Sequence, residues 1–448
     1  MRGNMTTGAP GKAIMMFSLP LLAGNLFQQF YNMIDSMVLG QFVGMGALAA
    51  VGSTFPIVYL VNAIAMGITT GASILLSQLF GNNRKDEFQR AVYTTLLTIG
   101  ALSIIITLLG EAMVVPFLRL LNLPPQHMPG STLYLRILFL GTGFIFTYNS
   151  FSAIFRAIGN SRTPLIFLIV ASAANIILDL VFVLLLGWDI AGVALATIMA
   201  QALSALLFIY YTAKKVPFLW PGKEFRVFDK EQFRRILHLG VPAMIQQVSV
   251  AVSIFFVQGM VNQFGESVMA GYTSASKIET LAMMPMFSIS SGLSTYTAQN
   301  IGANQLDRVK KGLHITLRLS LGICGGIALV IYCFRTPFAS LFLKSGSSAE
   351  AFAFCLGYLR VVCLFYLINT FYNTLSGILR GAGDARTEMA ISILSLVIRV
   401  SSSKLLLQYS SFGFAAIWWG LPISWCVGAL CVLLRYLSGR WKLKAIRQ

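Results

Sequence analysis

Residues 149–163, NSFSAIFRAIGNSRT, return 224 positions later as residues 373–387, NTLSGILRGAGDART. Seven positions are identical between the two blocks: Asn149, Ser152, Ile154, Arg156, Gly159, Arg162 and Thr163 against Asn373, Ser376, Ile378, Arg380, Gly383, Arg386 and Thr387. Tyr134, Leu135 and Arg136 recur at the same offset as Tyr358, Leu359 and Arg360. A second block pairs Gly71, Gln78, Gly81 and Asn83 with Gly292, Gln299, Gly302 and Asn304, and Pro20 pairs with Pro242. Offsets this constant mark an internal duplication of about half the chain.

The duplicated unit is a membrane unit. Of 448 residues, 56% are hydrophobic and 11% charged, a balance no ordinary soluble domain shows. A hydrocarbon core of about 30 Å needs about 20 apolar residues per helix. Segmentation on that basis predicts an all-α polytopic protein of twelve transmembrane helices: 13–43, 47–80, 91–113, 131–158, 163–187, 190–213, 236–262, 268–300, 313–335, 352–380, 387–408 and 413–438. The first apolar segment is far longer than the core of a signal peptide and reads as an uncleaved span. Six spans per half give both copies one orientation, so the expected architecture is two six-helix lobes related by a parallel repeat. The expected domains are an N-lobe over 1–213, a linker over 214–235 and a C-lobe over 236–448.

The net charge of +18 raises the question of nucleic acid, which the placement of the charge answers. Of 33 Lys and Arg, 24 fall in the termini and alternate connections on one side, and three, Arg119, Arg335 and Lys344, on the other. By the positive-inside rule both termini and the 214–235 connection face the cytoplasm, and the expected location is the plasma membrane. The basic excess is thus a topology signal and not a nucleic-acid footprint. The six cysteines lie in or beside apolar segments without CxxC spacing and read as small buried hydrophobes. No HExxH, GxSxG or GxxxxGK[ST] is present, and His127, His238 and His314 fall near span ends without a partner motif. An enzyme and direct use of ATP are therefore not expected.

A duplicated scaffold keeps what packing needs in both copies, so polar residues found in one copy alone point to function. Asp35 lies inside the first span, PLLAGNLFQQFYNMIDSMVLG (20–40), and its counterpart near Phe256 or Val257 is apolar. A carboxylate in hydrocarbon costs at least ~2.5 kcal/mol and marks a functional site by default. Asp179 in span five is matched by Ser403, and Asn175, one turn earlier on the same helix face, by Arg399. Counted along each span at 1.5 Å per residue, Asp35, Asp179 and Thr197 of span six all lie about 10–12 Å below the outer surface. Two carboxylates, an amide and a hydroxyl at one depth suit a proton or Na⁺, since like charges close together in low dielectric favour a shared proton. The plain alternatives are that Asp179 caps a helix or is solvated, and that Thr197 bonds its own helix.

The P-x14-D of span one, the N-x3-D of span five with Thr197 in span six, GASILLSQLFGNN (71–83), SGLSTYTAQNIGAN (291–304) and the doubled RxxGxxRT together resemble the multidrug and toxic compound extrusion (MATE) family. The resemblance covers nearly the whole chain. It implies a V-shaped pair of six-helix lobes that export organic cations and drugs in exchange for H⁺ or Na⁺. It assigns Asp35, Asn175, Asp179 and Thr197 to a cation-coupling site in the N-lobe, as Na⁺ ligands if Na⁺ is the ion, and Pro20 to a hinge in the first helix. Some members carry a Glu in span seven for a second Na⁺ site, but residues 242–262 here contain no acid. No cofactor is expected beyond the coupling ion, and the expected assembly is a monomer in the lipid bilayer.

Gln28, Tyr31, Met33, Glu279, Met283 and Met286 are candidates for a substrate cavity, because Met and aromatic residues make a pliable apolar wall. Glu279 either pairs with Arg399 across the bundle or meets a substrate cation. Arg136 and Arg360, present in both copies, read as scaffold. The alternative function is a flippase for a lipid-linked oligosaccharide, whose diphosphate would favour the basic Lys277, Arg399 and Lys404.

Overall fold

Glycines and prolines shared by the two copies set where the chain turns and where helices approach. The computed structural model describes residues 4–121, 123–220, 228–343, 348–409 and 412–444, and among these every regular element is helical. Lys344 and residues 221–227 of the expected linker lie outside the described residues. The first half contains α1 (Pro10–Val38), α2 (Met45–Gly52), α3 (Phe55–Gly81), α4 (Lys85–Leu120), α5 (Met128–Leu140), α6 (Thr142–Ala157), α7 (Arg162–Leu180) and α8 (Asp189–Lys215). The second contains α9 (Lys230–Asn262), α10 (Glu266–Gly302), α11 (Leu306–Cys333), α12 (Arg335–Phe342), α13 (Ala349–Ala382), α14 (Ala385–Tyr409) and α15 (Ala415–Leu437). The short α2 and α12 were not expected as separate helices.

Ten of these helices are long and apolar enough to cross a membrane; α5 and α6, bent by 49° at Gly141, make an eleventh if they form one span. The eighth of the twelve expected spans is α10. It is long enough at 37 residues, but it does not pass on apolarity. Its eleven serines and threonines, with Lys277 and Glu279, lower its hydropathy, and much of it is enclosed by α13 and α11. Enclosure by other helices satisfies polar groups that lipid could not.

The doubled motifs are backbone devices. Gly159 and Gly383 sit at φ 78° and 84°, the left-handed region that ends a helix and that only glycine enters freely. Asn83 and Asn304, at φ 55° and 57°, use the tolerance of Asn for the same region. After Gly159 the Asn160 side chain accepts from the Thr163 N–H at 3.1 Å. After Gly383 the buried Asp384 takes the Thr387 hydroxyl at 2.8 Å and the Arg435 Nε at 2.6 Å.

The chain forms two compact units, Met1–Asn4 with Ala23–Met244, and Met5–Leu22 with Ile245–Gln448. The change of unit falls inside two helices. It occurs after Leu22 in α1 and after Met244 in α9, equivalent positions at the 222-residue offset, each two residues past a proline, Pro20 or Pro242. Gly71 and Gly292 explain why. A Cβ on Gly71 of α3 would fall 2.3 Å from the Gly240 backbone nitrogen of α9, and a Cβ on Gly292 of α10 would fall 2.2 Å from Ser18 Oγ of α1. Each glycine thus admits the first part of the long helix from the opposite end of the sequence. In the unit holding Ala23–Met244, α3, α4, α6 and α8 pack together around aromatic contacts of Phe208 with Phe151, Phe155 and Phe167. In the other unit, α13 packs against α10, α11 and α15, with Phe354 against Tyr272 and Trp418.

Candidate functional site

The one-copy residues of the first half meet within the unit that holds Ala23–Met244. α1 carries Tyr31 and Asp35, α7 carries Asn175 and Asp179, and α8 carries Thr197. Asn175 and Asp179 are buried at 1% and 0% exposure, so neither is solvated near an interface. With its amide turned so that nitrogen faces the acid, Asn175 donates from Nδ2 to Asp179 Oδ2 at 3.0 Å and accepts at Oδ1 from the Thr197 backbone N–H at 3.1 Å. The Asp35 and Asp179 carboxyls lie close enough to act on each other. Oδ1 of each acid is buried and has no protein partner. Two carboxyl groups enclosed side by side favour a proton on one of them.

The Thr197 hydroxyl donates to the Val193 carbonyl at 3.0 Å, the bond to its own helix foreseen for it, and Tyr31 lies nearby. Tyr134 of α5, whose charge-bearing oxygen lies close enough to interact with both acids, completes the surround. In the sequence Tyr134 stands out only as part of the repeated YLR. Two π-helical turns, Leu39–Val43 after Asp35 and Val181–Leu185 after Asp179, are not marked there at all. They touch one another, and both pack on α8. Such turns shift the helical register locally and concentrate at functional sites.

The remaining candidates do not gather with this cluster. Gln28 and Met33 are exposed, and Pro20 lies in the part of α1 that belongs to the other unit. Among the described residues no trio of His, Cys, Asp and Glu side chains could hold a metal ion, so a cation at the cluster would depend on amide and hydroxyl oxygens beside the two acids.

In the unit holding Ile245–Gln448, the Tyr358 hydroxyl donates to Glu279 Oε2. Arg399 is near enough for its charge to act on Glu279, yet the two form no ion pair of 4.0 Å or less, so the expected Glu279–Arg399 pair is replaced by a tyrosine. Met283 Sδ accepts from Asn369 Nδ2 at 3.8 Å, and Met286 is buried in packing. A second enclosed carboxylate was missed: Glu388 of α14, 3% exposed, accepts from Gln246 Nε2 at 3.0 Å. The same Gln246 nitrogen donates to Ser392 Oγ at 2.8 Å. The signal in the sequence is a Glu just inside the apolar run of 387–408.

A duplicated set of membrane-crossing helices with an enclosed polar site in one copy defines a multi-pass membrane protein of the transporter class. The chain belongs to the MatE family, whose profile matches residues 20–181 and 242–403, each match opening on one of the paired prolines. It is 30% identical to the Probable multidrug resistance protein YoeA of Bacillus subtilis over 97% of this chain and 95% of that one. It is 28% identical to the Probable multidrug resistance protein YpnP of the same organism, over 98% and 97%. Among solved structures it is similar to a MOP superfamily transporter from Pyrococcus furiosus, at TM-score 0.92 and 23% identity over 99% of both chains, described there as having a binding pocket of reversed polarity that suggests a different function.

Proposed function

We propose that this protein exports organic cations and drugs across the plasma membrane by alternating access, in exchange for protons taken up at the Asp35–Asp179 pair. The observation that carries the reading is the enclosure of two neighbouring carboxyls, each with a buried Oδ1 that has no protein partner, because like charges so placed favour a proton on one of them. Na⁺ in the same place would separate the acids and draw on the Asn175 and Thr197 oxygens. The two B. subtilis relatives named as multidrug resistance proteins support the substrate class. The charge bias of the connections supports cytoplasmic termini, and the paired prolines support hinges in α1 and α9. Coupling needs the substrate and the proton to prefer different conformations, since a ligand shifts an equilibrium only by its differential affinity. Oligosaccharide flipping is the weaker reading, because the two B. subtilis relatives are named for multidrug resistance and the enclosed polar cluster of the first half is acidic.

The deciding measurement is proton release on substrate addition. Purified wild-type protein mixed with ethidium in weak buffer should acidify the medium, and Asp35→Asn should not. Release of Na⁺ without acidification would overturn the proton assignment, and binding of lipid-linked oligosaccharide without cation binding would overturn the export reading.

A further inference from the structure

The unit holding Ala23–Met244 contains an apolar groove of 590 Å³ between α3, α4 and the first part of α9, well away in sequence from the acid pair. Its walls are Ile64 and Ile68, then Leu97, Ala101, Leu102 and Ile105, then Phe233, Leu237, Val241 and Met244. The one polar side chain in the lining, Thr98, already spends its hydroxyl on the Thr94 carbonyl at 2.7 Å. Nothing in the groove can orient a polar ligand, so what fills it is hydrocarbon. From Phe233 to Met244 is eleven residues, about 16 Å of helix, or half of a hydrocarbon core of about 30 Å. That is the depth of one leaflet.

The mouth of the groove is basic. Asp229 N–H donates to Thr94 Oγ1 at 3.1 Å, which sets the start of α9 level with Thr94 of α4. Lys230 and Arg234 share the α9 face of Phe233, Leu237 and Val241, at spacings of three, four, seven and eleven. Arg90 shares the α4 face of Leu97, Thr98 and Ala101 at seven, eight and eleven. All three cations are exposed, and none forms an ion pair with a described residue. Of the neighbouring carboxylates Glu87 is taken by Arg84 and Arg235, Glu231 by Arg235, and Asp229 by the Glu231 and Gln232 N–H groups, while exposed Asp86, one turn before Arg90 on α4, forms no ion pair with it.

We infer that this groove seats an anionic phospholipid, one acyl chain along α4 and α9 and the phosphate among Arg90, Lys230 and Arg234. The hydrocarbon wall excludes polar ligands, and the three cations, none in an ion pair with a described residue, select the headgroup. The inference is independent of which ion drives transport.

Native mass spectrometry of the detergent-purified protein, titrated with dioleoyl phosphatidylglycerol or dioleoyl phosphatidylcholine, tests it. At roughly 1 kcal/mol per basic residue near a lipid phosphate, the anionic lipid should be retained about 10- to 100-fold better than the zwitterionic one. The triple variant Arg90→Ala, Lys230→Ala, Arg234→Ala should bind both lipids alike, while Lys12→Ala, Lys311→Ala, Arg386→Ala, equal in charge removed from the same basic face, should keep the preference. Ala101→Trp, which fills the groove and leaves the cations, should lower retention of both lipids. The inference is overturned if the control triple loses the preference as fully as the test triple, which would mean diffuse attraction to a basic face. Undiminished phosphatidylglycerol retention by Ala101→Trp would overturn it too, since the acyl chain would then lie elsewhere.

Discussion

Replacing Asp35 by asparagine separates two roles that the acid pair combines, holding the site together and exchanging a proton. Two unprotonated carboxylates about 4 Å apart would repel by roughly 4 kcal/mol at an effective dielectric of ~20. The native pair relieves this with a proton. An asparagine in place of Asp35 would relieve it permanently, because its amide donates to Asp179 as a protonated acid would and never gives the proton up. Asp35→Asn should therefore fold and melt at or above the wild-type temperature, yet lose coupling. A coupling free energy of about 1–3 kcal/mol corresponds to a 5- to 150-fold effect, so export driven by a pH gradient should fall at least fivefold. Everted vesicles loaded with a fluorescent cation, with the pH and Na⁺ gradients imposed separately, provide the assay. Asp179→Asn should behave alike, and the double variant should be no worse than either single one, because the two acids act as one unit. Wild-type export by Asp35→Asn under every gradient would refute the coupling role. A marked loss of stability would refute the shared proton.

Removal of Na⁺ at a fixed pH gradient should leave export unchanged in the same vesicles; a drop of more than about tenfold would place Na⁺ among the acids. Tyr358→Phe removes the hydroxyl donor to Glu279 and should lower stability by about 1–3 kcal/mol, read as a drop in the thermal midpoint. Asp384→Asn weakens the 2.6 Å contact with the largely buried Arg435 and should cost about 3 kcal/mol; a double-mutant cycle with Arg435→Gln should recover much of it. Gly71→Ala places a methyl 2.3 Å from Gly240 N, where the backbone must give way, and should cost about 1–3 kcal/mol; thermal unfolding indistinguishable from wild type would remove the close helix approach from the account.

The duplication, the membrane class and the gathering of Asp35, Asn175, Asp179 and Thr197 were all legible in the sequence, because they rest on counting: constant offsets, span lengths, residues from a span end. What resisted counting was tertiary. Tyr31 and Tyr134 join the acids through helix faces whose direction periodicity does not reveal in a chain apolar all round. The π turns change the register by one residue with no marker in composition. Glu279 looked like the natural partner of Arg399 from charge alone, but Tyr358, hidden in a repeated YLR, reaches it instead. α10 was found by its length, and its serines and threonines make sense only once neighbouring helices enclose it.

The passage of α1 and α9 from one unit to the other carries a consequence for biogenesis. Met5–Leu22 is synthesised some 270 residues ahead of the glycine that receives it, Gly292, and the unit holding Ala23–Met244 is not complete until Met244 has emerged. Neither half of the gene encodes a finished body. A ribosome that stalls after α8 leaves one unit short of its last helix and the other represented by a single orphaned segment. Duplication supplied two copies of a fold, and the exchange of helix halves made each copy depend on translation of the other.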